Sequence, residues 1–352
     1  MHPQRTGTLA VPGATLHYET LGSGPVLLLV PGGAGDAGLY AGMSPLLATR
    51  YTVVSYDPRG LSRSPLTAPP DAIDADEEVS VWSDDARRLL DLLAPDEEAV
   101  VLGCSSGAVV AVDLLARHPG RLRRVVAHEP PLLELLPDPA PHRALFAEVR
   151  ELLRTRGAEA AMARLGEGLA HGAVERAPAP ATELPPEIAE MAPRMHANLP
   201  VFLGRVLRSF SSAVPDLAAL RPVAHRLVPA AGRDSRLRTP LYGPAARLAE
   251  LLGSRLEEFP GGHLGAVECP REFADRLLAV LDRPAAPLGD RGRETREPAE
   301  SVTPGAVHPG DRRTAAPTEW SPRERGLDGV GGAGAAGFTR LIAPSGGEAR
   351  AD

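Results

Sequence analysis

The sequence predicts an α/β fold in which a mostly parallel central sheet is flanked by helices. Wholly apolar runs such as residues 26–30 indicate strands covered on both faces, as in a parallel sheet. These runs alternate, over short connections, with segments of helical length such as residues 79–93, where apolar positions are interspersed with charges. We therefore expect one large α/β domain at residues 1–285, interrupted by a helical insertion.

The first half of the chain gives the alternation most clearly. Residues 8–12 and 14–18 predict an edge hairpin around the turn at Pro12-Gly13. Further strands are predicted at residues 26–30, 51–56, 98–102 and 125–127, and helices at residues 39–49, 79–93 and 106–117.

In the second half the alternation stops between residues 132 and 221, where three helical patterns predict the insertion at residues 142–156, 158–169 and 186–211. It resumes with strands at residues 223–231 and 255–259 and helices at residues 244–252 and 271–281. Beyond residue 285 large apolar residues are scattered among Pro, Gly, Ala, Arg and Glu, so burial cannot offset the entropy of ordering. We expect residues 286–352 to form a disordered, low-complexity tail that is dispensable for chemistry.

Composition narrows the function. A net charge of −7 does not favour nucleic acid as a partner. Two cysteines in 352 residues imply no disulfide framework, and the expected location is the cytoplasm because neither a signal peptide nor a membrane-spanning run is evident. No nucleotide-binding or metal-binding motif is found, so we expect no cofactor. The expected partner is a small-molecule substrate, and no membrane partner is expected. The oligomeric state stays open.

The strongest local motif lies where one apolar run meets a helical run, at Gly103-Cys104-Ser105-Ser106-Gly107. A serine at such a strand-to-helix turn takes a strained backbone conformation, and bulky residues two positions away would clash, which explains glycine on both sides. The alternative is an ordinary turn serine that caps the following helix.

With its context, this motif resembles the nucleophile elbow of the α/β-hydrolase superfamily. The resemblance covers residues 8–281. It is carried by Pro31-Gly32-Gly33, Asp57-Pro58-Arg59-Gly60, the serine motif, Gly232-Arg233-Asp234 and Gly262-His263, each of which follows a predicted strand. The resemblance implies a serine hydrolase whose helical insertion acts as a lid.

The resemblance also implies a catalytic triad, because serine, acid and histidine occur in that order along the chain. Ser105 is the predicted nucleophile and His263 the general base, since an imidazole titrates near neutral pH. Asp234 is the preferred acid that orients the imidazole. Glu129 is the rival acid, because some members of the superfamily carry the acid after that earlier strand.

The predicted oxyanion hole uses the backbone N–H groups of Gly33 and Ser106. The second belongs to the first turn of a helix, where N–H groups have no intrahelical acceptor and the dipole favours an anion. Pro31 stands where the superfamily more often has histidine, which leaves the donor available but its orientation open.

These residues predict hydrolysis of a small carboxylic ester through an acyl-enzyme intermediate. The same constellation serves aminopeptidases, C–C hydrolases, acyltransferases and cofactor-free perhydrolases. A non-catalytic ligand-binding protein on this fold is the alternative from another class, because a fold does not fix a function.

Overall fold

A computed structural model describes residues 3–170 and 186–283, with only the helical backbone of residues 186–188. The predicted disordered tail lies outside the described residues. The described part contains one eight-stranded sheet. Its strands are β1 (Arg5–Val11), β2 (Ala14–Gly22), β3 (Val26–Val30), β4 (Thr52–Tyr56), β5 (Ala99–Cys104), β6 (Leu122–His128), β7 (Leu227–Gly232) and β8 (Glu257–Phe259).

The strand order is β1-β2-β4-β3-β5-β6-β7-β8. Strand β2 pairs antiparallel with both of its neighbours, and every pair from β4 to β8 is parallel. All residues of β3, β5 and β7 are buried, as expected of strands covered by helices on both faces. The predicted α/β fold class is confirmed.

The helices are α1 (Ser44–Leu47), α2 (Glu78–Leu93), α3 (Ser106–Arg117), α4 (Ala140–Arg156), α5 (Ala158–Ala170), α6 (Pro186–Val201), α7 (Leu207–Ser211), α8 (Leu217–Leu220), α9 (Thr239–Leu252), α10 (Gly265–Glu268) and α11 (Pro270–Leu281). A π-helical turn, Phe202–Val206, joins α6 to α7. The described segment between β6 and β7 is therefore helical, and we call it the helical insertion.

Three predicted elements depart most clearly from the structure. The helix expected at residues 39–49 is a 3-10 turn (Ala37–Tyr40) followed by the single turn α1, which has proline in its first turn. The strand expected from residue 223 begins only at Leu227, because Arg221–Arg226 forms a 3-10 helix. Helix α9 begins five residues earlier than expected and contains Pro244 in its interior.

The parallel strands bring the polar motifs of the sequence to one edge of the sheet. Cys104 at the end of β5 is paired with His128 at the end of β6, so Ser105 and Glu129 follow paired positions on adjacent strands. His128 is in turn paired with Ala230 of β7. In open α/β sheets, ligands bind beyond the carboxyl ends of the strands, which is where these residues lie.

Among the described residues, no helix combines the length and the apolar character needed to cross a bilayer.

Candidate active site

Ser105 occupies a strained turn between β5 and α3. Its φ is 53° and its ψ is −125°, a conformation that residues with side chains rarely adopt. Its N–H donates to the carbonyl of His128 at 2.9 Å, and its side chain makes no capping hydrogen bond to α3. Ser105 therefore occupies the N-cap position without capping α3 through its side chain, and among the described residues no hydrogen bond engages its hydroxyl.

The two glycines of the motif are required by close backbone contacts. A Cβ atom at Gly103 would lie 2.2 Å from the carbonyl oxygen of Gly107, and one at Gly107 would lie 2.2 Å from that of Val30. Both distances are far below van der Waals contact. Because Gly107 packs directly on the end of β3, the turn that carries Ser105 is fixed against the neighbouring strand.

His263 is held by a carboxylate from a different strand. Its Nδ1 lies 2.7 Å from Oε2 of Glu129, and its side chain is 15% exposed. An Nδ1–H that donates to this carboxylate leaves the lone pair on Nε2, which is the tautomer that can accept a proton. Ser105 and His263 line the same cavity. No hydrogen bond joins them among the described residues, which is common where substrate is needed to tighten the geometry.

Glu129 is buried and accepts two hydrogen bonds. Its Oε1 accepts from the N–H of Gly232 at 2.8 Å, and only 1% of the residue is exposed. Burial alone would raise the pKa of Glu129, but the hydrogen bond and the charge of His263, with the Gly232 N–H, bring the pKa below its ordinary value. The carboxylate is thus kept ionised beside the imidazole. The backbone of Glu129 has a φ of 49°, which makes this residue a second strained position at the same edge of the sheet.

The structure brings Glu129, the rival acid, and not the preferred Asp234, into contact with the His263 imidazole. Asp234 lies in the 3-10 turn Arg233–Ser235 beyond β7, and its N–H donates to the carbonyl of Gly261. Within the described part of the chain, its carboxylate forms no hydrogen bond or ion pair with His263. Strand β6 runs between β5 and β7, so Glu129 emerges nearer the serine turn, and its longer side chain reaches the imidazole.

The predicted oxyanion donors lie together, with one difference from expectation. Ser106 is the first residue of α3, so its N–H has no intrahelical acceptor. The N–H of Gly33, however, donates to the hydroxyl oxygen of Ser106 at 2.9 Å. Gly33 has a φ of 62°, which suits glycine. The sequence motif identified the backbone groups, but the role of the Ser106 side chain was not predicted.

A cavity of about 100 Å³ lies between this edge of the sheet and the helical insertion. Apart from Ser105, Ser106 and His263, its described lining is apolar or backbone, and no described Asp, Glu or Arg takes part. Four large apolar residues from α6 to α7 line the cavity: Met195, Leu199, Phe202 and Phe210.

Other polar residues near the site are buried and held by contacts of their own. Arg59 forms a buried ion pair with Asp85, and Asp57 accepts from the N–H of Ala37 while pairing with Arg63. Burial raises the pKa of the Cys104 thiol to about 12, so this neighbour of Ser105 stays protonated at neutral pH.

His128 is fully buried, with its ring in edge contacts with Phe259 and Phe273. Burial lowers its pKa to about 4. The imidazole is therefore neutral at physiological pH and packs as an aromatic ring.

Among the described residues, no group of three or more His, Cys, Asp or Glu side chains is arranged to hold a metal ion.

Comparison with known proteins agrees with this architecture. Residues 25–173 match the family model described as the alpha/beta hydrolase fold. The chain is 37% identical, over 284 residues, to "Uncharacterized hydrolase YraK" of Bacillus subtilis (strain 168), covering 79% of this chain and 96% of that protein. It is also 37% identical to a zearalenone hydrolase of Bionectria ochroleuca, but over 127 residues only, 35% of this chain and 47% of the relative.

Among solved structures, a thermophilic esterase from Thermogutta terrifontis superposes with a TM-score of 0.57 at 19% identity, covering 79% of this chain and 98% of the esterase. This likeness concerns the fold. The extent of the match to the Bacillus hydrolase, together with the family model, shows that the chain belongs to the α/β-hydrolase family.

Proposed function

We propose that this hydrolase cleaves an uncharged, apolar carboxylic ester through an acyl-enzyme intermediate on Ser105. The observation that carries the proposal is the contact of 2.7 Å between His263 Nδ1 and the buried carboxylate of Glu129, beside a serine in a strained turn. A serine hydroxyl is a poor nucleophile unless a base removes its proton, and an imidazole needs an oriented partner to serve as that base.

In the proposed cycle, Nε2 of His263 takes the proton of Ser105 Oγ as the oxygen attacks the ester carbonyl carbon. The resulting oxyanion is held by the backbone N–H of Ser106 and by that of Gly33, which exchanges the Ser106 hydroxyl for the oxyanion as its acceptor. Glu129 stabilises the imidazolium. The imidazolium then protonates the leaving alkoxide, which departs as an alcohol and leaves an acyl-serine. A water molecule, deprotonated by His263, attacks the acyl-serine and releases a carboxylic acid, while Ser105 recovers its proton.

The lining of the cavity supports an uncharged substrate. Burying a charge without a partner costs several kcal/mol, and the described lining offers no charged side chain that would compensate. An aminopeptidase substrate would bring an ammonium group that needs a carboxylate in the cavity, so ester hydrolysis is favoured over that reaction.

The test uses two substrates that differ only in a terminal methyl or carboxylate group, p-nitrophenyl hexanoate and mono-p-nitrophenyl adipate, whose chain is too long for rapid attack of the carboxylate on its own ester. We expect kcat/KM for the charged ester to be lower by at least about 100-fold, the effect of leaving one charge unpaired in an apolar site. A fluorophosphonate probe should label the protein, and Ser105→Ala should lose both labelling and turnover. An unlabelled protein with no turnover above Ser105→Ala on open-chain or cyclic esters would indicate the non-catalytic alternative.

A further inference from the structure

The helical insertion is joined by one buried amide to the turn at residues 32–35, which carries the proposed oxyanion donor Gly33 and which we call the oxyanion turn. Asn198 of α6 is 5% exposed, and its Nδ2 donates to the carbonyl of Ala34 and to the hydroxyl of Ser62, each at 2.9 Å. Its Oδ1 accepts from the N–H of Ser62, also at 2.9 Å. Both amide hydrogens and the amide oxygen are thus used, and they connect the insertion to two loops at the edge of the sheet.

A second polar link joins the same two segments. One turn before Asn198, Nε of Arg194 lies 2.5 Å from Oδ2 of Asp36, and its Nη2 lies 3.3 Å from Oδ1. Asp36 is fully buried, and its Oδ1 also accepts from the N–H of Gly38 at 2.9 Å. The Asp36 carboxylate therefore fixes the backbone at Gly38, and the Arg194 guanidinium in turn fixes the carboxylate.

The turn held in this way has few hydrogen bonds of its own. The turn Gly32-Gly33-Ala34-Gly35 is closed by one hydrogen bond, from the N–H of Gly35 to the carbonyl of Gly32 at 3.0 Å. Three of its four residues are glycines, which have the largest backbone freedom. The direction of the Gly33 N–H depends on this turn, and the Ala34 carbonyl one residue later is the atom that Asn198 binds.

We propose that Asn198 is a positioning residue that fixes the oxyanion turn from the helical insertion, so that the insertion takes part in catalysis as well as in enclosing the substrate. This inference rests on the function proposed above. The helix that carries Asn198 also contributes Met195 and Leu199 to the cavity, and Phe202 follows them in the π-helical turn. A substrate that packs against these side chains therefore contacts α6, the same helix whose Asn198 holds the turn that carries the oxyanion donor.

The expected effect lies in the transition state more than in binding. Because the oxyanion forms only after attack, a loosened turn should lower kcat with little change in KM. Loss of one aligned donor costs about 100- to 1,000-fold, and Asn198 acts on that donor indirectly, so we expect about 10- to 100-fold. A purely structural role for Asn198 would change stability without separating kcat from KM.

The experiment compares Asn198→Ala and Asn198→Asp with His196→Ala, a control on the exposed side of the same helix. Asn198→Asp keeps the size and the acceptor for Ser62 but places a carboxylate oxygen against the Ala34 carbonyl. Two measurements are made on the full-length protein: hydrogen–deuterium exchange of the segment at residues 32–38, and kcat and KM on p-nitrophenyl butyrate. A trifluoromethyl ketone, which forms a tetrahedral adduct with serine, supplies a transition-state analogue.

We expect faster exchange at residues 32–38 in both Asn198 variants, kcat reduced by about 10- to 100-fold, KM within about threefold, and Ki of the ketone raised by the same factor as kcat falls. His196→Ala should match the wild type. Unchanged exchange at residues 32–38, or a rise in KM at constant kcat, would overturn the inference. A wild-type protein without esterase activity would overturn the proposed function alone, and the exchange measurement would still decide the positioning role.

Discussion

Replacing Glu129 with glutamine tests the central contact of the site. The Glu129 carboxylate accepts two hydrogen bonds, from the N–H of Gly232 at 2.8 Å and from Nδ1 of His263 at 2.7 Å. These two donors face different carboxylate oxygens, Oε1 and Oε2. A glutamine amide has an NH2 group in place of one of these oxygens, so it cannot accept both hydrogen bonds in this arrangement. If its oxygen stays with the buried Gly232 N–H, its NH2 group faces Nδ1 and forces the proton of the imidazole onto Nε2.

The magnitude follows from that tautomer. An imidazole with its proton on Nε2 cannot take the proton of Ser105, and the imidazolium that forms in the transition state loses its buried counter-charge. The acid-to-amide replacement in a serine triad costs about 10⁴-fold in kcat when it imposes the wrong tautomer. We expect kcat of Glu129→Gln to fall by about 10³- to 10⁴-fold, equivalent to about 4–5.5 kcal/mol.

Asp234→Asn is the matched control, because it makes the same chemical change at the acid that the sequence favoured. The assay is steady-state hydrolysis of p-nitrophenyl butyrate, with thermal denaturation as a check that each variant folds. We expect Asp234→Asn to stay within about threefold of the wild type. A large loss in Asp234→Asn with a small one in Glu129→Gln would refute the assignment of Glu129.

Three further predictions concern neighbouring groups. Ser106→Ala should raise kcat by up to about 10-fold, about 1.4 kcal/mol, because the Gly33 N–H no longer has to leave the Ser106 hydroxyl to reach the oxyanion; a lower kcat would show that the hydroxyl holds this N–H in place instead. His128 has a folded pKa of about 4 against 6.5 when unfolded, so its contribution to stability is complete above pH 6.5 and is lost as the pH falls towards 4. The loss is on the order of 3 kcal/mol, and denaturant titrations of His128→Phe should show a correspondingly shallower decline over that range. In a Cys269→Ser background, which removes the partly buried second cysteine, Ellman's reagent at pH 8 should leave Cys104 unmodified in the native protein and modify it after unfolding; rapid native reaction would contradict its buried thiol.

The fold and most of the site could be predicted because their signals are local. The buried runs of β3 and β5 have the length and apolar character of covered strands, and the serine turn needs glycines that the sequence displays. The choice between Glu129 and Asp234 was not local. Both acids follow strands, and the register of β6 between its neighbours brings Glu129 to the imidazole. The available signal was a carboxylate placed directly after an apolar strand.

The contacts of Asn198 and of the Ser106 hydroxyl were beyond sequence reasoning for a similar reason. Asn198 lies among apolar residues of a helix and gives no motif, and its partner Ala34 is 164 residues earlier in the chain. Hydrogen bonds to the backbone N–H of Gly33 or the backbone carbonyl of Ala34 leave no trace in the identity of these partner residues. Only the tertiary packing of α6 on the edge of the sheet reveals them.

The cavity has two walls of unequal character, and this has a practical consequence for redesign. The polar side chains of the described lining all lie at the edge of the sheet. Phe146 of α4 and Leu165 and Leu169 of α5 line the cavity from the helical insertion and contribute only apolar surface. These three residues lie on helices that carry neither Arg194 nor Asn198. Substrate preference should therefore be open to change by repacking α4 and α5, while the reacting groups and the helix that holds their turn stay as they are.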